Sequence, residues 1–265
     1  MKTDLRTAAA RFYDLNPDIP NDVPFYLACI PSPDAAVLEL GCGTGRVTVP
    51  LAAHCRFILG IDRSPAMLDR CRDKLAGAGL PPGRVAVVEG DITAFDLERE
   101  FDLIIAPFRV LQNLETDAEV DELLCGIRRH LAPGGTAILN AFRPNLPPDR
   151  MRTEWVTPRE RLAWEVPVES GVVACYDRRP RIDPDRLVLY PELVYRRYEG
   201  ERLAEEVVLQ LAMRCWYPDP FERLITENGF EIVQRWGGYV GEVYGKGPEL
   251  VLRFRISRSR LFVRL

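Results

Sequence analysis

VLELGCGTGRVTVPLA, residues 37–52, decides the fold. A compact apolar run from Ala36 to Leu40, interrupted only by Glu39, has the length and composition of a strand buried on both faces. Gly41, Cys42, Gly43 and Gly45 then form a loop with little side-chain bulk, and an apolar helical run follows from about Arg46 to His54. Glycines at such a strand-to-helix turn allow positive φ and close backbone approach to a ligand. A dinucleotide site asks for G-x-G-x-x-G. Here the third glycine of that pattern would fall on Arg46, and the sequence reads G-x-G-x-G instead. Taken alone, the stretch also fits a tight turn that binds nothing.

The neighbouring strand ends favour a ligand. Phe57–Ile61 reads as a second buried strand ending at Asp62-Arg63, and Ser64-Pro65 starts a helix carrying Met67, Leu68, Cys71 and Leu75. Val85–Val88 is a third strand running into Glu89-Gly90-Asp91-Ile92. Phe101–Ile105 is a fourth, ending near Ala106-Pro107, and a helix over Thr116–Leu131 leads to a fifth strand from Thr136. Ligands of open α/β sheets sit at the carboxyl ends of the strands. There Asp62 suits paired hydrogen bonds to ribose hydroxyls, and Asp91 suits an exocyclic adenine amine. Ile92 can lie on the adenine ring, and Glu39 can meet an ammonium. Together they describe a nucleoside with a cationic, amine-bearing tail.

Strand and helix alternate to about Asn140, which gives an α/β, Rossmann-like, doubly wound and mostly parallel sheet. Then the rhythm changes. Val172–Tyr176, Leu187–Tyr198 and Leu203–Met213 read as antiparallel strands with one wet face. Helix and strands return at Pro220–Asn228, Phe230–Trp236 and Glu249–Ile256. The expected division is a core of residues 1–145 and 217–265, with lid helices in 1–33 (the first over Thr3–Leu15) and a β-rich insertion at 146–216. That insertion serves the acceptor or dimerisation. Its arginines (Arg178, Arg179, Arg181, Arg186, Arg196, Arg197) stand among acids and read as a salt-bridged face rather than an anion site. Trp216-Tyr217 and Trp236–Tyr239 either wall a pocket or fill a junction. The tail RFRISRSRLFVRL reads as a last strand plus an extension suited to self-association as a homodimer.

Composition narrows the function. The chain has 265 residues, 47% hydrophobic and 28% charged, with a net charge of −4. That argues against a nucleic-acid partner. No stretch has the length of a membrane span or the pattern of a signal peptide, so a cytoplasmic protein is expected. The seven cysteines show no metal-ligand or CxxC spacing and read as buried thiols, with no metal site.

LELGCGTGR, GIDRSPAML, VVEGDI and FDLIIAPFRVLQNL followed by LAPGG resemble the successive motifs of class I S-adenosylmethionine-dependent methyltransferases of the small-molecule type. The resemblance implies S-adenosyl-L-methionine as cofactor. It implies that Gly41, Cys42, Gly43 and Gly45 approach its methionyl part. Asp62 would hold the ribose, Met67 would pack near the adenine, Asp91 and Ile92 would position the base, and the neighbouring Arg63 and Gly90 would also belong to the cofactor site. The backbone at Ala106-Pro107 would meet the amino acid moiety. Arg46 either reaches the methionine carboxylate or pairs with an acid. RFYDLNP resembles the family's lid helix and places Tyr13 over the sulfonium.

The implied reaction is methyl transfer to N or O of a small-molecule acceptor. Some small-molecule members carry a His where this chain has Asn113, so a His-assisted mechanism is in doubt. Tyr13, Gln112 and Asn113 are the candidate catalytic residues, with Asp22 nearby and Tyr26 read as core. His54 and His130 read as structural or solvent-facing. The alternatives are a different outcome on the same cofactor (cyclisation, cleavage or another group transfer), a non-catalytic cofactor-binding protein and a nucleic-acid methyltransferase.

Overall fold

The structure is a computed structural model that describes residues 7–257. Every residue of β1 (Ala36–Leu40) is buried, as expected of a central strand covered on both faces. β1 lies between two parallel neighbours, β2 (Phe57–Asp62) and β4 (Phe101–Ala106). With β3 (Val85–Glu89), β5 (Leu131–Phe142), β11 (Phe230–Trp236) and β12 (Glu249–Ile256) they form a seven-stranded sheet of order β11-β12-β5-β4-β1-β2-β3. Only the β5–β12 and β12–β11 pairings are antiparallel. Strand order reverses at β1, so the glycine loop leaves the sheet at its switch point.

Helices cover both faces. α5 (Asp117–His130) and α7 (Pro218–Glu227) pack Leu123, Leu124, Ile127, Phe221 and Ile225 against one side. α2 (Val23–Cys29) and α3 (Thr48–Ala52) pack Tyr26, Leu51 and Ala52 against the other. α4 (Pro65–Gly77) contributes buried Met67, Leu68 and Cys71. Sequence T-D-A-E at the start of α5 is a capping box. The Glu119 N–H donates to Thr116 Oγ1 at 3.2 Å, and the Thr116 N–H donates back to Glu119 Oε2 at 3.1 Å.

A second sheet lies between β5 and α7 in the chain, after α6 (Pro148–Glu154). Its strands are β6 (Thr157–Val168), β7 (Gly171–Asp183), β8 (Val188–Glu199), β9 (Arg202–Gln210) and β10 (Met213–Arg214). All their pairings are antiparallel. The outer face is charged, as expected: Arg196 bonds Glu160 and Glu206, and Arg178 pairs with Glu192. Arg181 instead covers the Tyr190 ring at 3.5 Å.

Four expectations need correction. The first lid helix is only α1 (Ala10–Tyr13), with Ala9 at its N-cap and no acid in its first turn, so nothing local extends it; residues 3–6 of the expected helix lie outside the described residues. The helix after the glycine loop shortens to α3 because the loop keeps turning through Val47. β5 begins at Leu131, five residues early, and a register irregularity against β4 accommodates Pro133-Gly134-Gly135. β6 went unseen because it carries Pro158 and Pro167, which only an edge strand tolerates, and β6 is the edge. The tail is β12 as far as Ile256; residues 258–265 lie outside the described residues.

The capping box gives a test of the core. Thr116→Ala removes a cap partner and is expected to lower stability by about 1 kcal/mol, read as a lower urea midpoint at unchanged m-value.

Candidate active site

Asp62 organises the site. It ends β2, is 3% exposed, and its two carboxylate oxygens accept different backbone donors: Oδ2 takes the Gly43 N–H at 2.8 Å and Oδ1 takes the Ser64 N–H at 2.9 Å. Gly41 and Cys42 both donate to the Ile61 carbonyl, at 2.8 and 2.9 Å. The loop is therefore fastened to the end of β2 rather than to β1 alone. Each carboxylate oxygen keeps acceptor capacity for a further donor such as a ribose hydroxyl.

The glycines do different work. At Gly43, φ is +54° and the nearest atoms to an added Cβ are Asp62 Oδ2 and Met67 Cε, both at 4.0 Å. The backbone there is open to a ligand. At Gly45, φ is +77° and an added Cβ would lie 2.4 Å from Cys71 Sγ. Gly45 is thus a packing glycine between loop and α4 and does not line the cavity, which corrects its expected approach to the methionyl group. Its early position is set by Cys71.

Arg46 has both oxygens of Asp22 as partners and also bonds the Pro20 carbonyl at 3.3 Å. Of its two readings, pairing with an acid is the one observed, although that acid is fully buried. Arg46 still forms part of the cavity wall. Glu39 is 2% exposed and accepts from Thr48 Oγ1 at 2.5 Å. Burial pushes its carboxyl up to about 8.

One cavity of about 790 Å³ joins Gly41, Gly43, Asp62 and Met67 to the inner face of the second sheet. That volume is at the large end for small-molecule sites. Tyr13 and Asn113 line it, and the Tyr13 ring meets Phe108 edge-on at 6.5 Å. Asn113 Nδ2 donates to the Arg109 carbonyl at 3.1 Å. Gln112 is not in the wall. It is fully buried, its amide donating to the Arg214 carbonyl and accepting from the Phe142 N–H, each at 2.8 Å. Its catalytic assignment is therefore corrected: it ties a 3-10 turn (Val110–Asn113) to β10 and to the end of β5.

Pro107 lines the cavity, whereas Ala106 is fully buried in β4. Arg63, Gly90, Asp91 and Ile92 lie outside the cavity wall, around the ends of β2 and β3. Asp91 is exposed and accepts from the Thr93 N–H and Oγ1 at 2.8 and 2.7 Å. Neither histidine reaches the cavity. His54 is exposed; buried His130 accepts the Leu97 N–H on Nε2 at 2.9 Å, which leaves Nδ1 to donate to the Gly126 carbonyl at 2.8 Å. Six cysteines are buried, but Cys125 is exposed, against expectation. Trp216 packs on Phe221, and Trp236 and Tyr239 pack on Phe25, so these three aromatics belong to the core clusters and do not wall the cavity.

In the loop after β4, sequence reading passed over Phe108 and Arg109. Phe108 (φ 49°) and Arg109 (φ 69°) are consecutive left-handed residues without being glycine. Such backbone is costly and clusters at functional sites. Here Asn140 Oδ1 accepts the Arg109 N–H at 3.1 Å, and Glu249 pairs with its guanidinium at 3.2 Å. Burial raises the Glu249 carboxyl pKa. The available signals were a polar Asn140 inside an apolar strand and an acid opening β12. Arg143, Trp155, Trp164, Asp177 and Arg179 also line the cavity and were not singled out as its wall.

Residues 37–135 match the family model of a methyltransferase domain. Nodulation protein S of Rhizobium tropici is 34% identical over 117 residues, 44% of this chain and 47% of that protein. Carboxy-S-adenosyl-L-methionine synthase of Salmonella arizonae is 40% identical over 113 residues, 41% of this chain and 44% of that protein. Each match thus spans less than half of the curated relative. An S-adenosylmethionine-dependent methyltransferase from Clostridium acetobutylicum superposes with TM-score 0.75 at 17% identity, over 94% of this chain and 98% of that one. The sugar N-methyltransferase KedS8 from a Streptoalloteichus species gives 0.71 at 17%, over 94% and 92%. At such identities the superpositions speak for the fold. Residues 37–135 are accordingly similar to a methyltransferase domain, within a chain that shares the Rossmann-like fold of solved S-adenosylmethionine-dependent methyltransferases.

Proposed function

We propose that this protein transfers a methyl group from S-adenosylmethionine to a nitrogen or oxygen of a small-molecule acceptor, held by the insertion at 146–216. One observation carries the reading: the open Gly43 backbone, Asp62 and the inner face of the second sheet border the same cavity. In this reading Asp62 takes the ribose hydroxyls, the Gly41–Gly43 backbone flanks the methionyl chain, and Met67 packs by the adenosine. Glu39 meets the ammonium. Adenine lies on the open shelf near Asp91 and Ile92.

The sulfonium is already a good leaving group, so the chain has mainly to align the acceptor in line with the methyl carbon and keep water out. Tyr13 on the lid and Asn113 below it border that space. Asn113 positions an acceptor but is no base, so an amine acceptor would release its proton after transfer. A second reading, modification of the cofactor itself, is favoured by the likeness to carboxy-S-adenosyl-L-methionine synthase over 113 residues.

Two experiments test this. Calorimetry with S-adenosylhomocysteine should show stoichiometric binding, and Asp62→Asn should weaken it roughly tenfold to hundredfold by disturbing charge-assisted bonds. Absence of binding refutes the reading. In turnover with acceptor mixtures, S-adenosylhomocysteine should accumulate; a modified cofactor in its place supports the second reading.

Glu39 gives a further check. With no ammonium beside it, Glu39 favours its protonated form at neutral pH, because burial pushes its carboxyl up to about 8. An ammonium placed beside it favours the carboxylate, so cofactor binding at neutral pH should release a proton. Calorimetry in buffers of different ionisation enthalpy should detect that release in the wild type and lose it in Glu39→Gln. Equal proton counts would remove Glu39 from the ammonium site.

A further inference from the structure

Most charged side chains in the cavity wall already have their charge balanced. Arg46 has Asp22, Arg109 has Glu249 at 3.2 Å, and Arg179 has Asp177 at 2.8 Å. Of the acids, Asp62 accepts from two backbone N–H groups, and burial pushes the Glu39 carboxyl up to about 8. Asp18 is exposed to solvent on the lid side.

Arg143 differs. Its Nε donates to the Gly247 carbonyl at 2.7 Å, with a longer contact of 3.5 Å to Lys246, and among the described residues it makes no ion pair. Carbonyls take its N–H groups without cancelling its charge. Arg143 directly follows β5, and Arg109 follows β4, the adjacent parallel strand. The two cations therefore enter one cavity from neighbouring strand ends. Arg109 lines the same cavity, with its guanidinium already paired to Glu249. Beyond them, toward the second sheet, the wall is mostly apolar (Phe142, Met151, Trp155, Leu189, Leu211 and Met213), its charged part being the mutually paired Arg179 and Asp177.

We infer that the acceptor is an amphipathic molecule with one anionic group, a carboxylate or phosphate, seated against Arg143 and Arg109 and with its apolar body on the inner face of the second sheet. This rests on the methyltransferase reading and narrows its acceptor class. An arginine fork matches either anion, and a cation without a counter-charge in a partly dry cavity gains most from one.

The test is calorimetry on the full chain saturated with S-adenosylhomocysteine, using naphthoate, naphthyl phosphate, naphthylmethanol and naphthylmethylamine as probes. At least one of the two anions should bind about tenfold or more tightly than the neutral and cationic probes, and which one does so identifies the anion. Arg143→Gln should abolish that preference and Arg143→Lys should keep part of it, with S-adenosylhomocysteine affinity unchanged in both. Equal binding of all four probes, preference for the amine, no binding of any, or a preference that survives Arg143→Gln would each overturn the inference. In all those cases S-adenosylhomocysteine still binds. Failure of the cofactor to bind would instead strike the methyltransferase reading.

Discussion

The site rests on the carboxylate of Asp62. A buried acid at the end of a parallel strand needs donors, and the chain supplies two backbone N–H groups, one from the glycine loop and one from the start of α4. Those bonds fix the loop after β1 against the end of β2. The loop in turn fixes α4, because Gly45 lets Cys71 come closer than any side chain would permit. Position, packing and ligand chemistry therefore meet at one residue, and the order β4-β1-β2 places it beside the crevice that open α/β sheets offer.

A second constraint works from the other side. Phe108 and Arg109 adopt left-handed backbone that neither side chain favours, and a polar side chain of β5 holds the second of them there. Asn140 accepts from the Arg109 N–H while its own amide donates to Tyr239 Oη at 2.7 Å and to Glu249 at 3.1 Å. These residues come from β5, the β11–β12 connection and β12, so the floor of the cavity is braced by the antiparallel half of the main sheet. The second sheet completes the enclosure through its two unlike faces. Its outer side spends its charges on ion pairs of small individual worth. Its inner side turns Trp164, Leu193, Tyr195 and Leu209 toward the lid, where Phe12 of α1 stacks on Tyr195 at 5.2 Å.

Much of the fold was legible because it is written in local patterns. β1 and β2 show as short apolar runs, and β11 and β12 fall on their expected bounds. α5 shows in its apolar stripe and its Thr116–Glu119 box. What escaped were features without a local signature. β6 hides behind two prolines that its edge position excuses. Gln112 looks like a site amide from its place after β4, yet the strands that enclose it lie in distant segments. The brief α1 is held by burial of Phe12 against Tyr195 and by ion pairs of Asp14 with Lys74 and Arg70, partners that no window around residue 12 contains.

The sequence by itself determined the doubly wound sheet, the glycine loop at its switch point, and Asp62 as the acid beside it, since periodicity, turn chemistry and strand-end acids are properties of contiguous residues. The tertiary structure decided which of those residues face the cavity. It turned Gly45 and Gln112 to packing, gave Arg46 to Asp22, and brought Arg143, which makes no ion pair among the described residues, into the same cavity wall as Arg109. The reason is physical: burial and charge balance depend on partners brought together by sheet order, and those partners lie up to a hundred or more residues away along the chain.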